Sequence, residues 1–261
     1  MTGNPTTLRI AAAQIAGGTD PLANLAAIED AVGRAARRGA ELVVLPEAAM
    51  ASFAADPREA AEPLDGPWAN SVRKIAAAHE VVVVAGMFEP APDGRVHNTL
   101  LITGSGLETA YRKIHLYDAF GSRESDTVAP GTELVQVELR GVRIGFATCY
   151  DLRFADHFTA LGRAGAELVV VPASWGAGPG KEEQWDLLTR ARAHDAQAWL
   201  LACDQAWTPP SGTDPLGVGR SVLADPLGAV HTRLGGGPGL LAAEIDVETV
   251  RAVRQRVPVL G

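Results

Sequence analysis

Cysteine is scarce in this sequence of 261 residues, which contains only Cys149 and Cys203 and no Cys-x-x-Cys pair. Two thiols cannot build a disulfide framework, and zinc sites based on paired cysteines are excluded. The six histidines are scattered along the chain, without the spacing that aims two of them at a metal from one face of a helix. We therefore predict neither a metal site nor a cofactor.

Positive charge and long apolar runs are scarce as well. The 23 lysines and arginines are outnumbered by 31 acidic residues, and a net charge of −8 disfavours nucleic acids and anionic membranes as partners. No apolar run reaches the roughly 20 residues of a membrane span. The first ten residues, MTGNPTTLRI, lack the basic and apolar segments of a secretory signal. The sequence predicts a soluble cytoplasmic protein that acts on a small molecule.

Several common enzyme motifs are also missing. The chain has no Gly-x-Ser-x-Gly segment, which disfavours a serine hydrolase of the usual α/β type. It has no GxxxxGK[ST] loop and no GxGxxG segment after a strand, which disfavours nucleotide-dependent enzymes. The glycine-rich stretch LGGGPG at 234–239 follows no strand-to-helix pattern, and we predict a loop there.

What the sequence does contain is an alternation of short β-branched runs with longer amphipathic segments, which predicts an α/β protein. No linker of biased composition divides it, so we predict one domain over residues 1–261. The turn at Arg140–Gly141 predicts a hairpin. The predicted strands are 8–15, 42–45, 81–87, 98–103, 109–114, 134–137, 142–148, 168–172, 199–204, 221–224 and 240–245. The predicted helices are 21–38, 68–79, 153–163, 182–196 and 247–254.

One unit of this pattern occurs twice. GAELVVLPEA at 39–48 and GAELVVVPAS at 165–174 share seven of ten residues, and the upstream strands LRIAAAQ (8–14) and VRIGFAT (142–148) are also similar. Each unit reads as strand, helix, strand, which predicts a right-handed crossover with parallel strands. The alternative is chance similarity between two buried strands, which the matching upstream strands disfavour. Two such units predict two sheets packed face to face, with helices outside.

The two repeat units differ at strand ends, which are positions where catalytic side chains can stand. Glu47 ends a strand of the first unit and Cys149 ends a strand of the second, and carboxyl ends of parallel strands are where catalytic groups gather. The thiol precedes a helix predicted to start near Leu152, whose free N–H groups favour thiolate. Glu47 closes an apolar strand, which suits proton transfer, although it could instead cap the next segment. Cys203, within WLLACD, is typical of a buried structural cysteine.

Lys113 is the third candidate, because the chain has 20 arginines and only three lysines. A compact ammonium fits beside a developing oxyanion better than a planar guanidinium does, although a solvated edge-strand lysine is an equal alternative. Together the three residues suggest acyl transfer through a thioester. Glu47 takes the thiol proton, Cys149 attacks a carbonyl carbon, and Lys113 with the backbone N–H of Tyr150 holds the oxyanion.

These residues resemble the signature segments of the nitrilase superfamily of carbon–nitrogen hydrolases. The segments are LPEA at 45–48, YRKIHLYD at 111–118 and ATCYDLRF at 147–154, in the family's order. The resemblance implies a four-layer αββα sandwich that pairs into homodimers or larger homo-oligomers. It also implies that Glu47 is the general base, Lys113 the oxyanion-stabilising residue, Cys149 the nucleophile and Glu124 the glutamate that orients lysine and substrate.

The segment CYDLRF further resembles the amidase branch that includes omega-amidases and deaminated-glutathione amidase. This likeness makes Arg153 a candidate partner for a substrate carboxylate, with Tyr150 and Trp175 as further substrate-binding candidates. The alternative for Arg153 is a helix-start arginine that bridges to Asp151 or to the surroundings of Glu47. The chain departs from that branch at Ala155–Asp156, where Pro-Glu is common, and in its short loop between Lys113 and Glu124.

Three functions follow as hypotheses. The first is a cysteine-dependent hydrolase that cleaves a non-peptide C–N bond of a small amide and releases ammonia, with ω-amides of dicarboxylates as candidate substrates. The second is an N-carbamoyl amino acid hydrolase or a nitrilase of the same superfamily. The third is a non-catalytic binding or scaffold protein built on the same fold.

Overall fold

The structure, a computed structural model, describes residues 6–208 and 217–261. Its strands are β1 (Thr7–Gln14), β2 (Leu42–Val44), β3 (Val82–Pro90), β4 (Val96–Gly104), β5 (Leu107–Arg112), β6 (Gln136–Leu139), β7 (Val142–Phe146), β8 (Leu168–Ala173), β9 (Trp199–Asp204), β10 (Val222–Ala224), β11 (Val230–Arg233) and β12 (Gly239–Asp246). Its α-helices are α1 (Pro21–Arg37), α2 (Pro57–Ala60), α3 (Pro67–Ala78), α4 (Ala155–Arg163), α5 (Lys181–Ala196) and α6 (Val247–Arg256).

Every strand and helix predicted from the sequence is present, with ends that move by a few residues at most. The sequence prediction missed the short helix α2, the edge strand β11 and a 3₁₀ turn at Glu124–Asp126. These elements are too short or too exposed to produce a hydrophobic periodicity in the sequence. LGGGPG is a loop up to Gly239, where β12 begins, as predicted.

The strands form two six-stranded sheets of matching design. Their orders are β12-β1-β2-β3-β4-β5 and β11-β10-β9-β8-β7-β6. In each sheet three central strands are parallel, β1-β2-β3 in one and β7-β8-β9 in the other, and the flanking strands are antiparallel. The predicted hairpin joins β6 to β7. The repeat seen in the sequence therefore extends to both whole sheets, and the predicted parallel pairing of the two strands in each unit is confirmed.

Three apolar clusters divide the molecule into four layers. The central cluster joins side chains of both sheets, such as Ile10 and Val44 from one and Ile144 and Val170 from the other. A second cluster packs the first sheet against α1 and α3, and a third packs the second sheet against α4 and α5. The central strands are buried on both faces, which explains why they read as continuous apolar runs. The predicted αββα sandwich is confirmed.

Helix α1 illustrates how local sequence sets these layers. Asp20 caps it by accepting from the N–H of Leu22, and Pro21 occupies the first helical position. A buried stripe that includes Ile28 and Val32 faces the sheet. The chain then turns at Gly39, whose φ of +79° favours glycine, into the first GAELVV copy. No helix of the described residues combines the length and apolar character needed to cross a bilayer.

Candidate active site

The two sheets bring the three predicted catalytic residues together at one end of the sandwich. Glu47 follows β2, Lys113 follows β5, and Cys149 follows β7 of the facing sheet. All three are buried, with Glu47 1% and Lys113 2% exposed. The backbone that carries Glu47 packs closely against Gly86 of β3. A Cβ at that glycine would lie only 2.5 Å from the backbone nitrogen of Ala48.

Hydrogen bonds occupy both oxygens of the Glu47 carboxylate. Oε1 accepts from Lys113 Nζ at 3.0 Å and from Asn98 Nδ2 at 2.7 Å. Oε2 accepts from the backbone N–H of Ser174 at 2.9 Å. Ser174 closes the second copy of the repeat, and Glu47 stands one position before the end of the first. The segments in which the two copies diverge therefore meet in space.

Glu124 completes the surroundings of Lys113. Its carboxylate accepts from Lys113 Nζ at 3.0 and 2.9 Å, and from the backbone N–H of Tyr117 at 2.6 Å. Burial alone would lower the pKa of Lys113, but the Glu124 and Glu47 carboxylates outweigh it and raise that pKa well above its usual range. Lys113 is thus a fixed ammonium, not the solvated edge lysine of the alternative interpretation.

The thiol of Cys149 differs from the sequence expectation. Burial raises its pKa well above the usual value, the Glu47 carboxylate raises it further, and Lys113 with the N–H of Ser174 opposes this only in part. The expected thiolate at a helix start is wrong, because Cys149 opens a 3₁₀ turn, Cys149–Arg153, and α4 begins only at Ala155. At neutral pH the resting group is a thiol, which needs a base to become a nucleophile.

Asp151 fixes the turn that carries Cys149. The buried carboxylate accepts from the backbone N–H of Thr148 at 2.8 Å, from the Tyr111 hydroxyl at 2.6 Å, and from His115 through its backbone N–H at 3.0 Å and Nδ1 at 2.7 Å. The bond to Thr148 is half of a capping box. Burial would raise the pKa of Asp151, but the bond from His115, nearby His157 and the Tyr111 hydroxyl lower it overall.

His115, Asp151 and His157 are also the one group of possible metal ligands that the described ranges bring together, with ligand atoms within 4.8 Å of one another. Sequence spacing did not predict this cluster, because its members lie on three different segments. His115 Nδ1 bonds Asp151, and His157 Nε2 lies 3.1 Å from the carbonyl oxygen of Phe146. We interpret the cluster as support for the turn that carries Cys149.

Replacing Asp151 by asparagine is expected to lower the free energy of unfolding at neutral pH by about 2–4 kcal/mol, because the amide NH₂ would face donors that now bond a carboxylate oxygen. The pKa of Asp151 is depressed below its ordinary 3.8, so its stabilisation is present above that pH and is lost as the pH falls through the lower folded-state value. The deficit of Asp151→Asn should therefore shrink in acid. Denaturant titrations at several pH values measure it, with the exposed Asp156→Asn as control. An equal deficit in both variants would contradict the role.

A cavity of about 560 Å³ opens beside Cys149. Tyr150, Arg153 and Trp175, the three predicted substrate-binding residues, all line it. The guanidinium of Arg153 lies 4.9 Å from the centre of the Trp175 ring and donates to Gln184 Oε1 at 2.8 Å. The alternative, a bridge from Arg153 to Asp151 or to the surroundings of Glu47, is not found among the described residues, where the guanidinium donates to Gln184 instead.

Asn98 is a site residue that sequence reasoning missed. Its Nδ2 donates to Glu47 at 2.7 Å and also lies 3.3 Å from Glu124 Oε1, so one amide links both glutamates. The available signal was weak, because Asn98 stands among other polar residues of β4, between His97 and Thr99. Lys181 also lines the cavity, and the sequence pattern does not single it out.

Comparison with known proteins places the chain in a family. A sequence model described as "carbon-nitrogen hydrolase" matches residues 9–255. A hydrolase of Mycobacterium tuberculosis is 52% identical over 264 residues, covering 97% of this chain and 94% of that protein. The deaminated glutathione amidase of Escherichia coli O157:H7 is 34% identical over 235 residues, covering 88% and 87%. A solved nitrilase-superfamily protein of Saccharomyces cerevisiae superposes with a TM-score of 0.86 at 27% identity, covering 97% and 95%.

Proposed function

Because the chain belongs to the carbon–nitrogen hydrolase family, we propose that it hydrolyses a non-peptide C–N bond of a small amide through a thioester on Cys149. The observation that carries this proposal is the position of one carboxylate, Glu47, which accepts from a buried ammonium at 3.0 Å and lines the same cavity as the thiol of Cys149. Acyl transfer requires a base that activates the nucleophile and a hydrogen-bond donor that stabilises the oxyanion, and the carboxylate and the ammonium can fill these roles.

The reaction proceeds in two halves. Glu47 takes the thiol proton as Sγ attacks the amide carbon, and the resulting oxyanion is held by Lys113 Nζ and the backbone N–H of Tyr150. Glu47 then passes the proton to the leaving nitrogen, the C–N bond breaks, and ammonia departs. In the second half Glu47 takes a proton from water, whose oxygen attacks the thioester carbon. The carboxylic acid leaves and the proton returns to the sulfur.

The raised pKa of the Cys149 thiol supports this order of events. Since burial and Glu47 both disfavour a resting thiolate, proton transfer has to accompany attack on the substrate. Lys113 stays charged between its two glutamates and loses no proton in the cycle. Glu124 and Asn98 act as positioning residues that hold Lys113 and Glu47 in place.

Charge in the cavity favours an amide that carries a carboxylate. Four cationic side chains line it, Lys113, Arg123, Arg153 and Lys181, against only two acidic ones, Glu47 and Glu124, although the whole chain has a net charge of −8. Arg153 offers the geometry for pairing with a carboxylate at the end of the substrate away from the amide. An ω-amide of a dicarboxylate fits this description.

A substrate panel tests the proposal. We expect ammonia from ω-amides such as succinamic and glutaramic acid, and a mass increase at Cys149 equal to the acyl group when the reaction is quenched. Carbon dioxide released from N-carbamoyl amino acids would favour a carbamoylase, and turnover of nitriles without free amide would favour a nitrilase. No acyl adduct with any of these, together with no labelling of Cys149 by a thiol-reactive probe, would favour a non-catalytic protein.

Lys113→Arg is expected to lower kcat for the amide by about 100-fold, as loss of an oxyanion donor does. A planar guanidinium cannot occupy the place where one ammonium contacts Glu47 and both oxygens of Glu124. Steady-state ammonia release measures the effect, and Lys74→Arg, an exposed lysine on α3, is the matched control. Turnover of Lys113→Arg at the wild-type rate would remove the oxyanion role.

We further propose that the protein acts in the cytoplasm as a homodimer or larger homo-oligomer. The acidic composition and the resemblance to a family of oligomeric enzymes support this. Light scattering of the purified protein measures the assembly state directly.

A further inference from the structure

Two cations in the cavity have no carboxylate partner among residues 6–208 and 217–261. They are Arg153 and Lys181, whose polar contacts are to the Gln184 amide and the Tyr117 hydroxyl. The other two cations of the cavity are paired, Lys113 with its glutamates and Arg123 with Asp126 at 3.4 Å. The proposed chemistry of bond cleavage uses neither Arg153 nor Lys181, so their charges are available to the substrate.

Lys181 is held in place at both ends. It is the first residue of α5, and its carbonyl oxygen accepts from the indole N–H of Trp175 at 3.0 Å. Its ammonium lies 3.3 Å from the Tyr117 hydroxyl and 3.9 Å from the centre of the Phe120 ring. Tyr117 also donates its backbone N–H to Glu124, so the ammonium lies against the loop that supports the catalytic lysine.

Arg153 has a different polar partner, the amide of Gln184 on α5. Its guanidinium stacks over Trp175 and lies 5.6 Å from the centre of the Tyr150 ring, and its buried Nε has no hydrogen-bond partner. The ring of Phe120 approaches both cations, at 5.8 Å from Arg153 and 3.9 Å from Lys181, although this phenylalanine is 72% exposed. An aromatic face attracts a cation more weakly than a carboxylate does, so both cations keep binding capacity for an anion.

From this arrangement we propose that Lys181 determines specificity by binding a second anionic group of the substrate, distinct from the carboxylate that Arg153 binds. The substrate is then an amide that carries two carboxylates. This rests on the proposed function and narrows its substrate class. The two cations have different polar partners, the Gln184 amide and the Tyr117 hydroxyl, and they give the cavity its excess of two positive charges. A volume of about 560 Å³ lies in the range of pockets for drug-sized ligands and exceeds the need of a short monoamide.

The test measures binding without turnover. Calorimetry on the Cys149→Ala protein compares N-succinylglutamine, which has a primary amide and two carboxylates, with two analogues in which one or the other carboxylate is converted to an amide. We expect each conversion to weaken binding by about tenfold, the loss typical of one charged hydrogen bond. The measurements are repeated with Lys181→Gln and with Arg153→Gln, each combined with Cys149→Ala.

The two variants are expected to act on different carboxylates. In Lys181→Gln, one of the two analogues should bind as well as N-succinylglutamine, and in Arg153→Gln the other one should. Coupling of one side chain to one carboxylate indicates a direct contact. A structural effect of the substitution would instead weaken the binding of all three ligands equally. Lys74→Gln, an exposed lysine far along the chain on α3, should preserve the wild-type pattern.

Three outcomes would overturn the inference. They are coupling of both variants to the same carboxylate, no coupling to Lys181, and no binding of N-succinylglutamine. None of these touches the proposed hydrolysis, because ammonia release from simple ω-amides by the wild-type protein is measured separately. Conversely, failure of the wild-type protein to form an acyl adduct would sink the hydrolase proposal without altering the binding pattern.

Discussion

Cys149→Ala is expected to lower amide turnover by about 10⁴-fold or more, since no other group in the cavity can form the thioester. Lys113 is held as an ammonium by two carboxylates and is no nucleophile. The fold should persist, because the change removes one sulfur from a residue at the rim of the third apolar cluster. Ammonia release and the mass of the quenched protein check both parts.

Cys203 provides the matched control. It lies in the core between the two sheets, where burial raises the pKa of its thiol, and it does not line the cavity. Cys203→Ala should therefore keep turnover near the wild-type value and lose only about 1–2 kcal/mol of stability through the small cavity it leaves. Full activity in Cys149→Ala, or loss of activity in a folded Cys203→Ala, would contradict the assignment of the nucleophile.

The layered fold was predictable because the buried positions of its strands and helices produce periodic hydrophobic patterns in the sequence. Strands buried on both faces read as apolar runs, and GAELVV with its upstream strand occurs twice, so the sequence predicts two related sheets. The repeat extends even to strands with no visible likeness, such as β4 and β10, because strand order follows from the packing of whole sheets. No residue of the edge strand β11 is buried, so it left no periodic signal.

The catalytic candidates were predictable for a different reason. Polar residues at the carboxyl ends of apolar strands are visible in the sequence, and Glu47 and Cys149 each follow such a strand. Lys113 was visible because lysine is rare in this chain. Asn98 and Asp151 were missed because their importance depends on contacts across the chain, to Glu47 and to Tyr111. Spacing along the sequence does not reveal such contacts.

The state of the thiol was predicted wrongly because a helix terminus was weighed without its surroundings. Free N–H groups favour thiolate, but the turn at Cys149–Arg153 is short, and the same fold places a carboxylate beside the sulfur and excludes water from it. Burial and the sign of the nearest charge outweigh the dipole here, and neither can be read from local sequence. The correction makes Glu47 more important, because a protonated thiol depends on its base.

Glu47→Gln is accordingly expected to lower turnover by about 10³-fold, since the amide can neither take the thiol proton nor return it to the leaving nitrogen. The variant should fold. Its carbonyl oxygen can still accept from Lys113 and Asn98, while its NH₂ faces the N–H of Ser174, which costs about 1–2 kcal/mol. Kinetics and denaturant titrations measure both effects, with the exposed Glu29→Gln as control.

In Glu47→Gln, the reactivity of the Cys149 thiol should rise although turnover falls. The Glu47 carboxylate raises the pKa of Cys149 and Lys113 lowers it, so removing the carboxylate leaves Lys113, still paired with Glu124, to favour thiolate at lower pH. Alkylation by iodoacetamide, followed against pH, should therefore have a lower midpoint in folded Glu47→Gln than in the wild-type protein, although amide hydrolysis is almost lost. A variant that keeps turnover would show that Glu47 is not the base, and a midpoint that rises would contradict the effect of its charge on the thiol pKa. Loss of both turnover and folded structure is a different result, which the unfolding measurement identifies, and Glu47→Asp then tests the base in a charged variant.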